Sequence, residues 1–539
     1  MSKSLIEQIR TGVIGEKVAI STPFGTRPLI YADYTASGRS LDFVERFIQQ
    51  RVLPFYANTH SESSLTGRQT TALREEARAA IKQSLNATEE HRLIFCGSGA
   101  TAAIHKFIGM LGLHEIRDER PVVFIGPYEH HSNDLPWREA PVDLVRIPLC
   151  TQGLPDETEL TVQLRKYQHR KLLIGSFSAA SNVTGIKTPV KRISALLHKF
   201  GALSCWDYAA AGPYVEIDVQ NTLAGDEGDN SLDAVYLSPH KFIGGPGTPG
   251  VLLLKSVLPD NACPTVPGGG TVSFVAANRH TFLTDIERRE EGGTPAIVEA
   301  IRAGLVFSIK DQVGASTIVA REHAYLQRAF AVWEQNPKIK ILGGTTLDRL
   351  GIVSLRFLEG DKDLHYGFVV ALLNDLFGIQ ARGGCSCAGP YGHELLGLNE
   401  EQSLAIEAAN QRGDMVLRPG WVRLNFNYFI DDETANYLIA AVEWVATHGL
   451  KLLNHYYYDR NSGTWNYRGE RLPLTVSLTD VFNPSEVASL APSDKPLAHY
   501  IDRADAVVEH CIETTGRGGC LLGDESSELC WFVRPNECA

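Results

Sequence analysis

Between residues 92 and 254 short apolar runs recur, separated by amphipathic stretches: RLIFC, PVVFIG, DLVRIPL, KLLIGSF, ALSCWD, DAVYL and VLLLK. Runs this short, with little polar alternation, predict strands buried on both faces. Their alternation with helical segments predicts an α/β fold, a mainly parallel sheet covered by helices. Ligands of such sheets collect in loops beyond the carboxyl ends of the strands. The residues that follow each run are therefore the first candidates for chemistry.

After about residue 300 the pattern changes. AREHAYLQRAFAVWEQN reads as an amphipathic helix, GIVSLRFL as a strand, LHYGFVVALLNDLF as a helix and WVRLNFNYF as a strand, which predicts a smaller α+β domain. From about residue 450, NHYYYDRNSGTWNYRGERL predicts an aromatic hairpin with a Ser-Gly turn, followed by a short helical extension. The expected organisation is an N-terminal segment, 1–30, packing with the small domain; a large cofactor-binding domain, 31–300; the small α+β domain, 301–450, carrying a cysteine loop; and a C-terminal extension, 451–539.

Composition narrows the function classes. The 539 residues are 44% hydrophobic and 21% charged, the usage of a folded globular protein. A net charge of −12, with no basic stripe, argues against nucleic-acid binding. The N-terminus lacks a signal-peptide core and no run of about eighteen apolar residues occurs, so no membrane partner is expected and a cytoplasmic location is the default. Ten cysteines, at 96, 150, 205, 263, 385, 387, 511, 520, 530 and 538, are too scattered for a disulfide scaffold.

The stretch DAVYLSPHKFIGGPGTPGVLLL places Lys241 between a buried strand and a glycine- and proline-rich turn. An amine held there is a candidate covalent anchor for a carbonyl cofactor, with Ser238 and His240 as adjacent donors. An exposed loop lysine is the ordinary alternative. A formal GxGxxG at Gly245, Gly247 and Gly250 is rejected as a dinucleotide site, because Pro246 and Pro249 remove amide donors and VLLLK is too short for the helix required. GSGAT, residues 97–101, follows RLIFC and opens a helix whose N-terminus, with the Thr101 hydroxyl, can face a phosphate. Its GxGxxA form leaves the cofactor open. Asp207 ends the strand ALSCWD and suits a protonated pyridine nitrogen, although a turn aspartate would also end a strand there. His130 and His131 follow VVFIG, and one of them can stack on a ring; a metal pair is disfavoured because adjacent residues in extended chain face opposite ways. Asn182 in SNVTG and Thr294 in EEGGTPA are further loop donors.

The ordered set GSGAT, EHHSN, SNVTG, WDYAAAGP, SPHK, EEGGTP and VRLNF resembles the fold-type I pyridoxal-phosphate enzymes of aminotransferase class V, especially cysteine desulfurases, over roughly residues 30–430. The resemblance implies pyridoxal 5′-phosphate as cofactor. It makes Lys241 the Schiff-base lysine, Asp207 the pyridinium partner and His130 the ring-stacking residue. It likewise implies phosphate ligands at Ala100, Thr101, Ser238 and His240, a ring-hydroxyl contact at Asn182, and Thr294 as a phosphate ligand donated across a homodimer interface. One departure is Ala210, where the family usually carries a glutamine.

ARGGCSCAGPYGH puts Arg382 five positions before Cys387, with Cys385 between. An arginine fork can hold a carboxylate while a thiolate attacks a substrate sulfur. Arg382 and Cys387 match the desulfurase motif of an arginine followed five residues later by the nucleophile. The GCSC arrangement is similar to the N-terminal domain of molybdenum cofactor sulfurases, and Cys385 and Ser386 replace the histidine pair usual before the cysteine. A metal pair, a redox pair and inert thiols are the alternatives for this loop. Arg423, in WVRLNF, matches the family's second carboxylate-binding arginine, and if buried it needs an anionic partner.

The resemblance implies conversion of L-cysteine to L-alanine, with sulfur left on Cys387 for a protein acceptor and His130 as proton donor. The alternatives are selenocysteine lysis, other C–S cleavage, transamination, or a noncatalytic sulfur-transfer scaffold. Cys511, Cys520, Cys530 and Cys538 read more simply as unrelated thiols than as a relay.

Overall fold

The computed structural model describes residues 4–59, 62–115, 119–259, 261–468, 470–473, 476–482, 493, 495–512, 518–520 and 522–535. Cys538 lies outside them. The chain forms two compact units. The first comprises residues 1–14, 34–321 and 347–350; the second comprises 15–33, 322–346 and 351–539.

The first unit is built on a seven-stranded sheet: β1 (His91–Cys96), β2 (Val122–Ile125), β3 (Asp143–Arg146), β4 (Leu173–Ser178), β5 (Leu203–Asp207), β6 (Ala234–Leu237) and β7 (Gly250–Lys255). Its order is β1-β7-β6-β5-β4-β2-β3. All neighbours are parallel except β7, which runs antiparallel to both β1 and β6. Every residue of β2, β4 and β6 is buried, as expected of strands covered on both faces. Because β7 reverses direction between β1 and β6, the carboxyl ends of β1, β2, β4, β5 and β6 share one edge. GSGAT, EHHSN, SNVTG, WDYAAAG and SPHK all begin there.

Two helices set the close packing. α1 (Leu65–Ser84) lies on α2 (Ile297–Val313), and a methyl group at Gly304 would stand 2.5 Å from Ala77 Cα, so that helix contact requires glycine. Arg74 and Arg78 of α1 both reach Glu291, whose side chain is 5% exposed and also accepts the Phe95 amide of β1 at 2.7 Å. The EEGGT segment is thereby pinned beside β1.

The second unit holds a five-stranded antiparallel sheet: β8 (Ile339–Ile341), β9 (Ile352–Glu359), β10 (Lys362–Leu364), β11 (Arg382–Gly384) and β12 (Trp421–Asn425). Its order is β8-β9-β12-β11, with β10 on β9. The helix Tyr366–Phe377 ends at Gly378, whose φ of 69° provides a left-handed cap, and Ile30–Tyr31 pairs in parallel with Ile379–Gln380 just beyond.

Several of the described residues after 450 contribute to this unit's core. The hairpin Tyr456–Asp459/Thr464–Tyr467 buries Tyr456 and Trp465. Phe532 is fully buried, forms a bridge with Asp363, and packs edge-on against His365 at 4.9 Å. His365 accepts from Trp465 Nε1 at 3.0 Å, and burial brings its imidazole down to about 3, so it is a neutral core residue.

Candidate active site

In the first unit the loops at the carboxyl edge of the sheet bring most of the expected residues together. Lys241 ends a tight turn, Pro239–Lys241, directly after β6, with its amide donating to Ser238 O at 3.0 Å. The turn is clamped from outside: Gly38 N donates to His240 O at 2.8 Å, and a methyl group at Gly38 would meet Phe242 O at 1.9 Å. Lys241 is half-buried.

GSGAT packs on this turn. Ala100 N donates to Ser238 Oγ at 2.9 Å, at the start of the helix Gly99–Met110. Gly99 has φ of 56°, and a methyl group on it would come within 2.8 Å of Ser238 Oγ and 3.6 Å of His240 Nε2. Ala100, Ser238 and His240 therefore converge on one helix N-terminus, the arrangement suited to an anion. His240 is kept neutral: burial, joined by the charge of Lys241, brings its imidazole down to about 4.

Thr101 joins the cluster through a residue that sequence reasoning passed over. Its hydroxyl lies 2.6 Å from Ser132 Oγ, which is 3.0 Å from His130 Nδ1, and Ser132 N donates to the same nitrogen at 3.1 Å. An acceptor Nδ1 leaves the proton of the neutral ring on Nε2. Ser132 stands in the turn His131–Asn133, two residues after His130 in EHHSN.

Asp207 is buried at the end of β5, where its Oδ1 accepts from Ala209 N at 2.8 Å. It thus forms an aspartate turn while facing the same edge. Burial pushes its carboxyl up, against the Ala209 hydrogen bond and the nearby charge of Lys241. Asn182 is buried in the turn after β4. Thr294 is exposed, and its hydroxyl accepts from Asn58 Nδ2 at 3.3 Å.

Glu129 was also missed. It is buried, and its carboxylate accepts from Gly126 N (3.2 Å), Ser178 N (2.9 Å), Ser178 Oγ (2.6 Å) and Asn133 Nδ2 (2.6 Å). These donors tie the EHHSN loop to the end of β4. Desolvation nonetheless raises the carboxyl to about 7.

The second unit gathers Arg382, Arg423, Asp33 and Cys387. Arg423, on β12, is buried, and its Nη2 donates to Asp33 Oδ1 at 2.8 Å. Arg382 Nη1 is 3.8 Å from Asp33 Oδ2. The anionic partner that a buried Arg423 requires is therefore supplied by the chain itself. Burial lowers the Arg423 guanidinium; Asp33 draws it back up, Arg382 opposes that, and Cys387 adds to it. The Cys387 side chain is thus close enough to the Arg423 guanidinium to act on its charge. Among the described residues no cluster of three or more His, Cys, Asp or Glu side chains is arranged to hold a metal.

A carboxyl-edge cluster on a mainly parallel sheet, joined to a small antiparallel unit, defines the fold-type I architecture. The chain belongs to the aminotransferase class-V family, whose model matches residues 30–415. It is 28% identical to a protein of Streptomyces coelicolor named "Probable cysteine desulfurase" over 67% of this chain and 84% of that one. To one of the same name from Halalkalibacterium halodurans it is 29% identical over 67% and 85%. In structure it is similar to a cysteine desulfurase from Thermococcus onnurineus (TM-score 0.66, 23% identity, 83% of this chain and 99% of that one). It is also similar to one from Escherichia coli (TM-score 0.62, 20% identity, 82% and 98%). These structural likenesses carry the fold.

Proposed function

We propose that this chain is a pyridoxal 5′-phosphate-dependent cysteine desulfurase, which converts L-cysteine to L-alanine and leaves the sulfur on Cys387 for an acceptor. The observation that carries this reading is the grouping of Cys387 with Arg382 and Arg423, in a family member whose relatives bear that name. The first unit's donors fit the cofactor: a helix N-terminus closed down by Gly99, with Ser238 and His240 beside it, for the phosphate; Asp207 for the ring nitrogen; His130 for the ring face; Asn182 for the ring hydroxyl; and Lys241 for the carbonyl carbon. Bound there, pyridoxal phosphate supplies an electron sink for a carbanion at the substrate Cα.

The chain's own residues do the rest. Arg382, the more exposed of the two arginines, meets the substrate carboxylate, and Arg423, shared with Asp33, completes the fork behind it. Lys241 Nζ moves the α-proton. The Cys387 thiolate attacks the substrate Sγ: an S–S bond forms, the Cβ–Sγ bond breaks, and its electron pair stays with the carbon fragment, which takes a proton from His130 Nε2 and leaves as alanine. In this reading the protein is a cytoplasmic homodimer in which Thr294 serves the neighbouring subunit's phosphate. No helix among the described residues is long and apolar enough to cross a membrane.

The test is incubation of cofactor-loaded protein with L-cysteine, with alanine quantified and Cys387 mapped by mass. Borohydride should fix the cofactor on Lys241. Cys387→Ser should retain that adduct and lose alanine formation at least about a hundredfold; undiminished alanine formation would reject the desulfurase reading in favour of another class-V reaction.

A further inference from the structure

The segment Cys385–Ala388 is a mirror-image β-turn. Ala388 N donates to Cys385 O at 3.1 Å, and the central residues Ser386 and Cys387 have φ of 54° and 56°. That is the type I′ pattern, which ordinarily takes asparagine or glycine at both central positions. Each non-glycine residue so held costs about 1–2 kcal/mol. The strain is imposed from both sides, by β11 pairing with β12 before the turn and by the helix Gly389–Leu396 after it.

The turn has a chemical consequence. A β-turn brings its first and fourth Cα within about 7 Å of each other. Folding through Ser386 keeps the first and third inside the span of about 4.4–6.8 Å that a disulfide bridges. Those two residues are Cys385 and Cys387, both partly exposed and both free thiols. Cys511 and Cys520, by contrast, are buried, and burial raises both thiols, that of Cys520 to about 12.

We propose that Cys385 is the resolving thiol of this loop. Resting on the reading of Cys387 as the persulfide carrier, the step is attack by the Cys385 thiolate on Cys387 Sγ. A Cys385–Cys387 disulfide forms, the bond from Cys387 Sγ to the outer sulfur breaks, and that sulfur leaves with the electron pair as hydrosulfide, taking up the proton Cys385 gave up. The two protein thiols are oxidised by two electrons, and the sulfane sulfur is reduced to sulfide. No outside oxidant is needed. A small dithiol or a dithiol protein reopens the loop, so the transferable product is sulfide and the co-substrate is a dithiol reductant.

The experiment uses the full-length, cofactor-loaded protein, reduced, freed of small thiols and given L-cysteine anaerobically. Acid quenching and thiol alkylation follow. Wild type should release about one sulfide per alanine, and the 385–387 peptide should be lighter by a pair of hydrogens and closed to alkylation. In Cys385→Ser the sulfide-to-alanine ratio should fall about tenfold or more, with Cys387 heavier by one sulfur. A wild-type peptide that keeps the extra sulfur on either cysteine, without a disulfide, overturns the proposal while sparing the desulfurase reading. Failure of wild type to form alanine overturns both. The wild-type peptide mass decides the matter even if the variant does not fold.

Discussion

Arg382 and Arg423 are direct partners across the antiparallel pair β11–β12. Like charges directly opposite on a sheet repel, and here one guanidinium has a side chain 4% exposed while the other is 44% exposed. Asp33 resolves the conflict, with its two carboxylate oxygens turned to the two arginines. In Asp33→Asn the arginines lose their counter-charge. Removing one partner of a buried ion pair costs about 3–5 kcal/mol, and with Asp33 partly exposed the lower end is expected. Urea unfolding at neutral pH measures it. A loss under about 1 kcal/mol would mean that water already carries the anion's role.

The proposed phosphate cradle makes a prediction about two glycines. In Gly99→Ala the new methyl meets a side-chain hydroxyl at 2.8 Å; in Gly250→Ala it meets the backbone oxygen of Gly99 at 2.1 Å. The hydroxyl can rotate away, leaving the strain of an alanine at φ 56°, about 1–2 kcal/mol, whereas a carbonyl at the turn into a helix cannot move aside. Gly250→Ala should therefore weaken pyridoxal phosphate binding more, although Gly250 supplies no ligand atom. Titration of the bound cofactor's visible absorbance ranks the two, and the reverse order would place the tight contact elsewhere.

These relationships differ in how far the chain announces them. VVFI and AVYL are legible as central strands because burial on both faces removes their polar residues, and the register from Arg382 to Cys387 is legible because it is local. Asp33 is not: its strand neighbours Ile30–Tyr31 are too few to show a period, and their partner, Ile379–Gln380, lies far along the chain. Ser132 and Glu129 flank a histidine with chemistry of its own; Ser132 meets Thr101 only when the loops after β1 and β2 share an edge, and Glu129 meets Ser178 only once β2 and β4 are neighbours. The left-handed turn at Ser386 and Cys387 is hidden for another reason. Neither residue type advertises positive φ, and the strain comes from the elements on either side. Nor does the aromatic hairpin reveal that the residues after 450 complete a core, because burial of Tyr456 and Trp465 depends on His365 and Asp375.

That core yields a prediction about the C-terminal residues. Phe532 is fully buried, packed against His365 and, at 6.4 Å, Trp465. Phe532→Ala should cost about 3–5 kcal/mol, the range for a large aromatic deleted from a closed core. Truncation after residue 450 should be worse, yielding aggregated protein, since it uncovers the face that Tyr456, Trp465 and Phe532 seal. Thermal unfolding and the yield of soluble protein measure these effects. A fully stable truncated chain would make the extension an appendage.

Glu129 supplies the pH dependence. Its carboxyl sits at about 7 in the fold against an ordinary value near 4.5, because desolvation outweighs the four hydrogen bonds it accepts. Between those values the native state holds a proton that the unfolded chain has released. Stability from this group is therefore fully present below about pH 4.5 and is lost as pH rises toward about 7, with a slope of at most about 1.4 kcal/mol per pH unit. Glu129→Gln cannot titrate; with its oxygen kept on the amides of Gly126 and Ser178, its Nε2 takes the place of Oε2 and sets a donor against Asn133 Nδ2, which costs about 1–3 kcal/mol for an unmet group. In urea unfolding from pH 5 to 8, the variant should be the less stable at pH 5. The gap should narrow steadily to about pH 7 and stay constant above it. A gap independent of pH would mean that the carboxylate is ionised throughout, held by its four donors.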